Sequence, residues 1–225
     1  MDAYIFPPPP ITAVPVLGES STFPIRRVIC VGRNYAAHVR EMGADERDPP
    51  FFFAKPADAV VFADAVAYPQ ATSDLHHEIE LVAALSGGGV DLTPGQALDL
   101  VYGYAVGVDL TRRDLQNEAK AQARPWDSSK GFDASGPISS IRPWMGPPPQ
   151  GRISLAVNGQ VRQDGRVADM IWNVAEVIAE ASRLWRLEPG DLIFTGTPEG
   201  VGPVSRGDRV SGEVEGVGAL AFTLI

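Results

Sequence analysis

The chain has a single cysteine, Cys30, among 225 residues. A lone thiol excludes an internal disulfide and fits a reducing compartment, so the cytoplasm is the expected location. Basic charge is scarce as well: 19 Lys and Arg stand against 28 Asp and Glu, a net charge of −9. No basic run offers a footprint for phosphates, which argues against a nucleic-acid partner. No apolar stretch reaches the roughly 20 residues of a membrane-spanning helix. The first residues lack a charged region leading into an apolar one, so neither a membrane anchor nor a secretory leader is expected. There is no internal repeat and no linker.

Glycine and proline, by contrast, are plentiful at 23 and 20 residues. So many turn formers imply an α+β, β-rich fold and not a helical bundle. The length suits one large domain or two small ones with a sizeable core. Met1 to Phe6 reads as an edge strand, Pro7 to Pro10 as extended chain, and Ala13 to Leu17 as a second strand. Residues 1–25 thus form an extended segment packed on a body spanning 26–225. In that body Arg26 to Gly32 is a buried strand, and Asn34 caps a short helix that Gly43 ends. Residues 44–50 read as a surface loop. Phe51-Phe52-Phe53-Ala54-Lys55-Pro56 is an apolar strand whose aromatics belong to the core, since nothing basic interleaves with them. Asn158-Gly159 is the strongest hairpin signal. Asn173 to Trp185 is a helix with Val174, Val177, Ile178, Ala181, Leu184 and Trp185 on one stripe. Thr111 caps a helix that Arg124-Pro125 ends, and Lys130 falls in a loop.

The chemistry concentrates between Ser73 and Lys130. Glu78 and Glu80 are two apart, so on an extended strand both carboxylates share a face. Asp109 closes the apolar run Val101 to Val108. Three carboxylates near a core repel one another unless a cation holds them. An all-oxygen set suits Mg²⁺, Mn²⁺ or Ca²⁺, not zinc. Read singly, Glu78 and Glu80 also fit a solvated strand edge. His38 and Glu41, at i and i+3, share a helix face; such a pair makes a general base, or merely a solvated ion pair. Arg113 and Gln116 share a face just past Asp109, where an Arg can grip a carboxylate, although a polar helix face reads the same way. The turn Thr195-Gly-Thr-Pro-Glu-Gly-Val-Gly202 lacks the Gly-Lys-Ser/Thr of a P-loop, so nucleotide binding is not expected.

Taken together, Gly32-Arg-Asn-Tyr-x-x-His38-x-x-Glu41, His77-Glu78-x-Glu80, Asp109-x-Thr-x-Arg113-Asp-x-Gln116, Lys130 and Thr195-Gly-Thr-Pro-x-Gly-Val-Gly202 resemble the fumarylacetoacetate hydrolase family. The likeness covers nearly everything from Arg26 onward and points to the single-domain acylpyruvase branch. Pro49-Pro-Phe-Phe-Phe, Met170-Ile-Trp172 and Arg124-Pro-Trp126 are most similar to its bacterial fumarylpyruvate-cleaving members. The resemblance implies a mixed β-sandwich roll with peripheral helices, in a homodimer. It implies Mg²⁺ or Mn²⁺ on Glu78, Glu80 and Asp109, and catalysis by His38, Glu41 and Lys130. It implies substrate contacts from Arg33, Arg113, Gln116 and Thr197. The implied reaction is C–C hydrolysis of a 3-acylpyruvate, with fumarylpyruvate giving fumarate and pyruvate in aromatic-compound catabolism. Oxaloacetate decarboxylation, isomerisation of 2-hydroxyhepta-2,4-diene-1,7-dioate, and a non-catalytic metal-binding module are the alternatives.

Overall fold

The computed structural model describes residues 4–35 and 48–225. Its centre is a six-stranded sheet in the order Arg142–Pro143, Val101–Val108, Ile79–Leu85, Asp191–Phe194, Arg27–Gly32 and Phe51–Lys55. Neighbours run antiparallel, except that Asp191–Phe194 lies parallel to Arg27–Gly32. Every residue of Ile79–Leu85 is buried. Ile79, Leu81, Ala83 and Leu85 enter one core, while Val82 and Ala84 enter another. A strand covered on both faces loses its polar alternation, and this one is apolar throughout except at Glu80.

The first core lies against a five-stranded sheet ordered Gln160–Arg166, Arg152–Val157, Arg209–Val214, Gly218–Leu224 and Ala65–Val66. It also takes in Val174, Val177, Ile178 and Ala181 of the helix Val174–Leu184. Val14, Val16, Phe23 and Ile25 close the second core with Ile138 and Ile141. The architecture is the expected β-rich sandwich with few helices. Among the described residues no helix is long and apolar enough to cross a membrane.

Register then places the acidic residues. Alternation puts Glu80 on the same face as Val82 and Ala84, at the end of the strand. Across the ladder Ile79 pairs with Val108 and Glu80 with Gly107. The Asp109 amide donates to the Glu78 carbonyl at 2.8 Å, which sets the two residues side by side. Gly107 must stay bare, because a Cβ there would lie 2.7 Å from the Phe194 and Val82 side chains. A three-stranded sheet, Thr111–Arg112, Leu75–His77 and Gly202–Val204, lays the chain before Glu78 against the helix Arg113–Ala121.

Several expectations are corrected. Residues 4–6 form no strand and are exposed. Thr111 sits in a short strand and caps nothing; the helix starts at Arg113 and ends at Ala121. Lys130 ends a four-residue helix, Asp127–Lys130, and is 2% exposed, so it is no loop lysine. Leu184 lies at the edge of its stripe and is 62% exposed. The Asn158-Gly159 hairpin forms with φ of 52° and 78°, the mirror-image turn that matches strand twist. Positions 36–43 of the expected helix, His38 and Glu41 among them, lie outside the described residues.

Candidate active site

Carboxylate oxygens of Glu78, Glu80 and Asp109 lie within 4.8 Å of one another where these strands end. Glu78 sits in a one-residue break between the strands Leu75–His77 and Ile79–Leu85, yet its carboxylate still meets that of Glu80. Three cations answer the three carboxylates. The Lys130 ammonium donates to Glu78 Oε2 at 2.8 Å, Asp109 Oδ2 at 2.5 Å and Thr111 Oγ1 at 2.7 Å. Arg113 donates to Glu78 Oε1 and to Gln116 Oε1. Lys55 lies 2.8 Å from Asp109 Oδ1 and donates to Ser135 Oγ at 3.0 Å and to the Lys130 carbonyl. Lys55 is off the line of a hydrogen bond to Asp109, so that buried oxygen keeps an open lone pair.

Neighbouring charge splits the two glutamates. Burial pushes the Glu78 carboxyl up, but the Lys130 ammonium and Arg113 guanidinium outweigh it and hold it at about 2. Glu80 goes the other way. Burial raises it well above the usual carboxylate range, and Asp109 and Glu78 add repulsion that Lys130 and the Gly196 amide do not offset. Its one described hydrogen bond comes from Gly196 N at 2.7 Å. Burial alone would lower the Lys130 pKa, but Asp109 and Glu78 reverse that and keep the ammonium charged.

These residues fit a divalent cation. All the donors are oxygens, one of them unbonded at Asp109, and Glu80 is the carboxyl that a cation would ionise. With the carboxylates ionised, three negative and three positive groups sum to zero. A divalent ion would make this set net positive, and Arg33 and Lys120 on the cleft wall add to its attraction for an anionic substrate.

The carboxylates floor a narrow cleft. Of the residues expected at the substrate, Arg33, Arg113, Gln116 and Thr197 all line it. Arg33 holds a positive φ of 60° at the end of its strand, in the left-handed region where non-glycine residues carry strain. Asn34 pins that corner: its amide donates to Trp172 O and Thr195 O and accepts from Trp172 N, each at 2.8 Å. Gln163 fixes Thr197 by donating to its hydroxyl at 2.8 Å.

Sequence reasoning missed Lys55, Lys120 and the aromatic wall. Lys55 read as the end of an apolar strand; a charge on a strand that composition buries was the available signal. Lys120 lines the cleft seven residues after Arg113 and four after Gln116, a spacing that puts all three on one helix face. Phe51 is exposed and not core, while Phe52 and Phe53 are partly buried against the two cores. Phe51 and Phe53 pack on Trp126 with ring centroids 4.9 and 5.8 Å apart, and Phe53 and Trp126 line the cleft.

Known proteins share this arrangement of the chain. A fumarylpyruvate hydrolase of Ralstonia sp is 47% identical over 176 residues, 77% of this chain and 92% of that protein. The crystal structure of fumarylpyruvate hydrolase from Pseudomonas aeruginosa in complex with Mn²⁺ and pyruvate superposes with a TM-score of 0.95 at 50% identity, covering 99% of each chain. An oxaloacetate tautomerase of Escherichia coli K12 is 38% identical over 203 residues, 88% of this chain and 93% of that protein. The fumarylacetoacetate (FAA) hydrolase C-terminal family matches residues 27–225. With its β-rich fold and acidic trio, the chain belongs to the fumarylacetoacetate hydrolase family.

Proposed function

We propose that this protein is a metal-dependent hydrolase that cleaves the C–C bond of a 3-acylpyruvate, converting fumarylpyruvate to fumarate and pyruvate in aromatic-compound catabolism. The observation that carries the reading is the buried trio Glu78, Glu80 and Asp109, with Lys130 bridging Glu78 and Asp109, on the floor of a cationic cleft. The Mn²⁺- and pyruvate-bound structure of the P. aeruginosa fumarylpyruvate hydrolase supports the choice of ion and product class. An Mg²⁺ or Mn²⁺ ion held by the trio would supply Lewis acidity to the 2-oxo acid end of the substrate.

The chain's own groups divide the remaining work. Arg113 and Gln116, joined to each other, orient the 2-oxo acid carboxylate, and Thr197 borders it from the opposite turn. His38, oriented by Glu41, takes a proton from water as the oxygen attacks the distal carbonyl carbon. Lys130 exchanges one of its carboxylate partners for the developing oxyanion, a role worth roughly 3–4 kcal/mol for one well-placed donor. The C–C bond breaks with its electron pair on the pyruvate carbon, which then takes up a proton. Among the described residues no carboxylate pairs with Arg33 or Lys120, and both line the cleft where the acyl tail and its terminal carboxylate would lie. Family resemblance supports a homodimer, and the single buried Cys30 suits the cytoplasm.

A second reading is oxaloacetate chemistry, decarboxylation or the tautomerisation named for the E. coli relative, which needs no attacking water. Isomerisation of 2-hydroxyhepta-2,4-diene-1,7-dioate needs none either. A panel of fumarylpyruvate, acetylpyruvate and oxaloacetate with Mn²⁺, followed by loss of enol absorbance and by product assay, separates them. We expect fumarate and pyruvate in equal amounts, and near-complete loss of hydrolysis with intact Mn²⁺ binding in His38→Ala. Turnover confined to oxaloacetate, or unchanged hydrolysis in His38→Ala, overturns the reading; flat traces throughout favour a binding module.

A further inference from the structure

We propose that His76, held by Asp74, is a positioning residue that fixes the Arg113 guanidinium for substrate binding; this rests on the function proposed above. Arg113 lines the cleft, while His76 does not. The two nevertheless touch, because Arg113 Nε donates to His76 Nδ1 at 3.3 Å. A ring nitrogen that accepts carries no proton, so the His76 proton is on Nε2. That nitrogen lies 2.9 Å from Asp74 Oδ1, which accepts the proton's hydrogen bond and locks the tautomer. The same logic by which a carboxylate sets a ligating imidazole here sets an imidazole that steers an arginine.

The guanidinium is thereby held at three points. Nε meets His76, one terminal nitrogen meets Gln116, and the other meets Glu78. Without the Nε contact only the two terminal contacts resist rotation of the plane about the bond that joins it to its stem, and any such rotation turns the edge offered to a carboxylate. The backbone is braced from the same stretch. The Arg113 amide donates to Asp74 O at 2.8 Å. Asp114 accepts from Thr72 Oγ1 at 2.7 Å and from Ser73 N at 3.0 Å. Residues 72–78 therefore place Glu78 and the arginine as one unit. His76 is anchored by its pairing with Thr111 on one side and Pro203 on the other, so the ring has a fixed base to act from.

The test is a double-mutant cycle in the Mn²⁺-loaded protein with fumarylpyruvate. His76→Ala should raise KM about tenfold or more, as loss of a hydrogen bond to a charged group does, with kcat changed far less. In an Arg113→Lys background the same His76 change should alter KM less than about twofold, because the residue through which it acts is gone. His76→Asn, whose amide oxygen can accept from Arg113, should recover most of the loss. Asp74→Asn, at a half-exposed position with little effect on folding, should raise KM in the same direction by less. Equal effects of His76→Ala in both backgrounds, an unchanged KM in His76→Ala and Asp74→Asn, or a fall in kcat alone would overturn the assignment. Failure of the wild-type protein to cleave fumarylpyruvate would instead strike the proposed function, a result distinct from any of these.

Discussion

Loading the site with Mn²⁺ should release protons at pH values below the raised pKa of Glu80. Glu78, held at about 2 by Lys130 and Arg113 against its burial, is already ionised and has no proton to give. Glu80 is raised well above the usual range by burial, then by Asp109 and Glu78, so of the two glutamates it is the one whose proton a bound cation would displace. The sign follows. Binding requires ionised Glu80, so affinity falls as pH falls, about tenfold or 1.4 kcal/mol per pH unit, and levels off above the raised pKa. Metal-free stability has the opposite slope. A carboxyl whose pKa is raised on folding adds stability that is full below its unfolded pKa and is lost as pH rises through the folded one. Mn²⁺ should restore what alkaline pH removes. Titration calorimetry in two buffers of different ionisation enthalpy counts the protons directly. Glu80→Gln, neutral and nearly isosteric, should abolish the release and weaken binding. A buffer-independent heat, together with a dissociation constant that does not change with pH, would refute the electrostatic account of the trio.

Lys55→Met removes a buried charge beside Asp109 and should cost the metal-free protein about 3–5 kcal/mol in urea unfolding with chelator present; a loss under about 1 kcal/mol would mean that the pair is not structural. Gly196→Ala places a Cβ 2.8 Å from Asn34 Cβ at a φ of 94° and displaces the amide that serves Glu80. It should destabilise by about 1–3 kcal/mol and weaken Mn²⁺ binding, both visible in melts with and without metal. Lys120→Met should lower kcat/KM for fumarylpyruvate about tenfold, as loss of a charge-assisted contact does. Acetylpyruvate, whose tail is neutral, should lose less than about twofold; equal losses on both would remove Lys120 from tail recognition.

Legibility followed the range of the physics involved. The Asn158-Gly159 hairpin and the helix with its Asn173–Glu176 capping box were readable because turn and cap energetics are settled within a few residues. The start of the helix at Arg113 was not, because pairing of Thr111 and Arg112 with the Leu75–His77 strand overrode the local capping signal at Thr111. The same pairing frees the Thr111 hydroxyl to accept from Lys130.

At the site, the sequence by itself pointed to three carboxylates that a cation could hold, from two acidic positions two apart and a third at the end of an apolar run, with a solvated strand edge as the other reading of Glu78 and Glu80. It also carried the order of motifs from which the family was legible. Only the tertiary structure decided how their charge is balanced. Lys55 and Asp109 are 54 positions apart in sequence, and Lys130 reaches Glu78 and Asp109 from a helix that local signals did not announce. Likewise only packing could seat His76 against Arg113 and bring Phe53 and Trp126 to the cleft wall. Spacing along a strand or helix shows which side chains share a face. Which faces meet is set by the burial of whole sheets, and no local pattern encodes it.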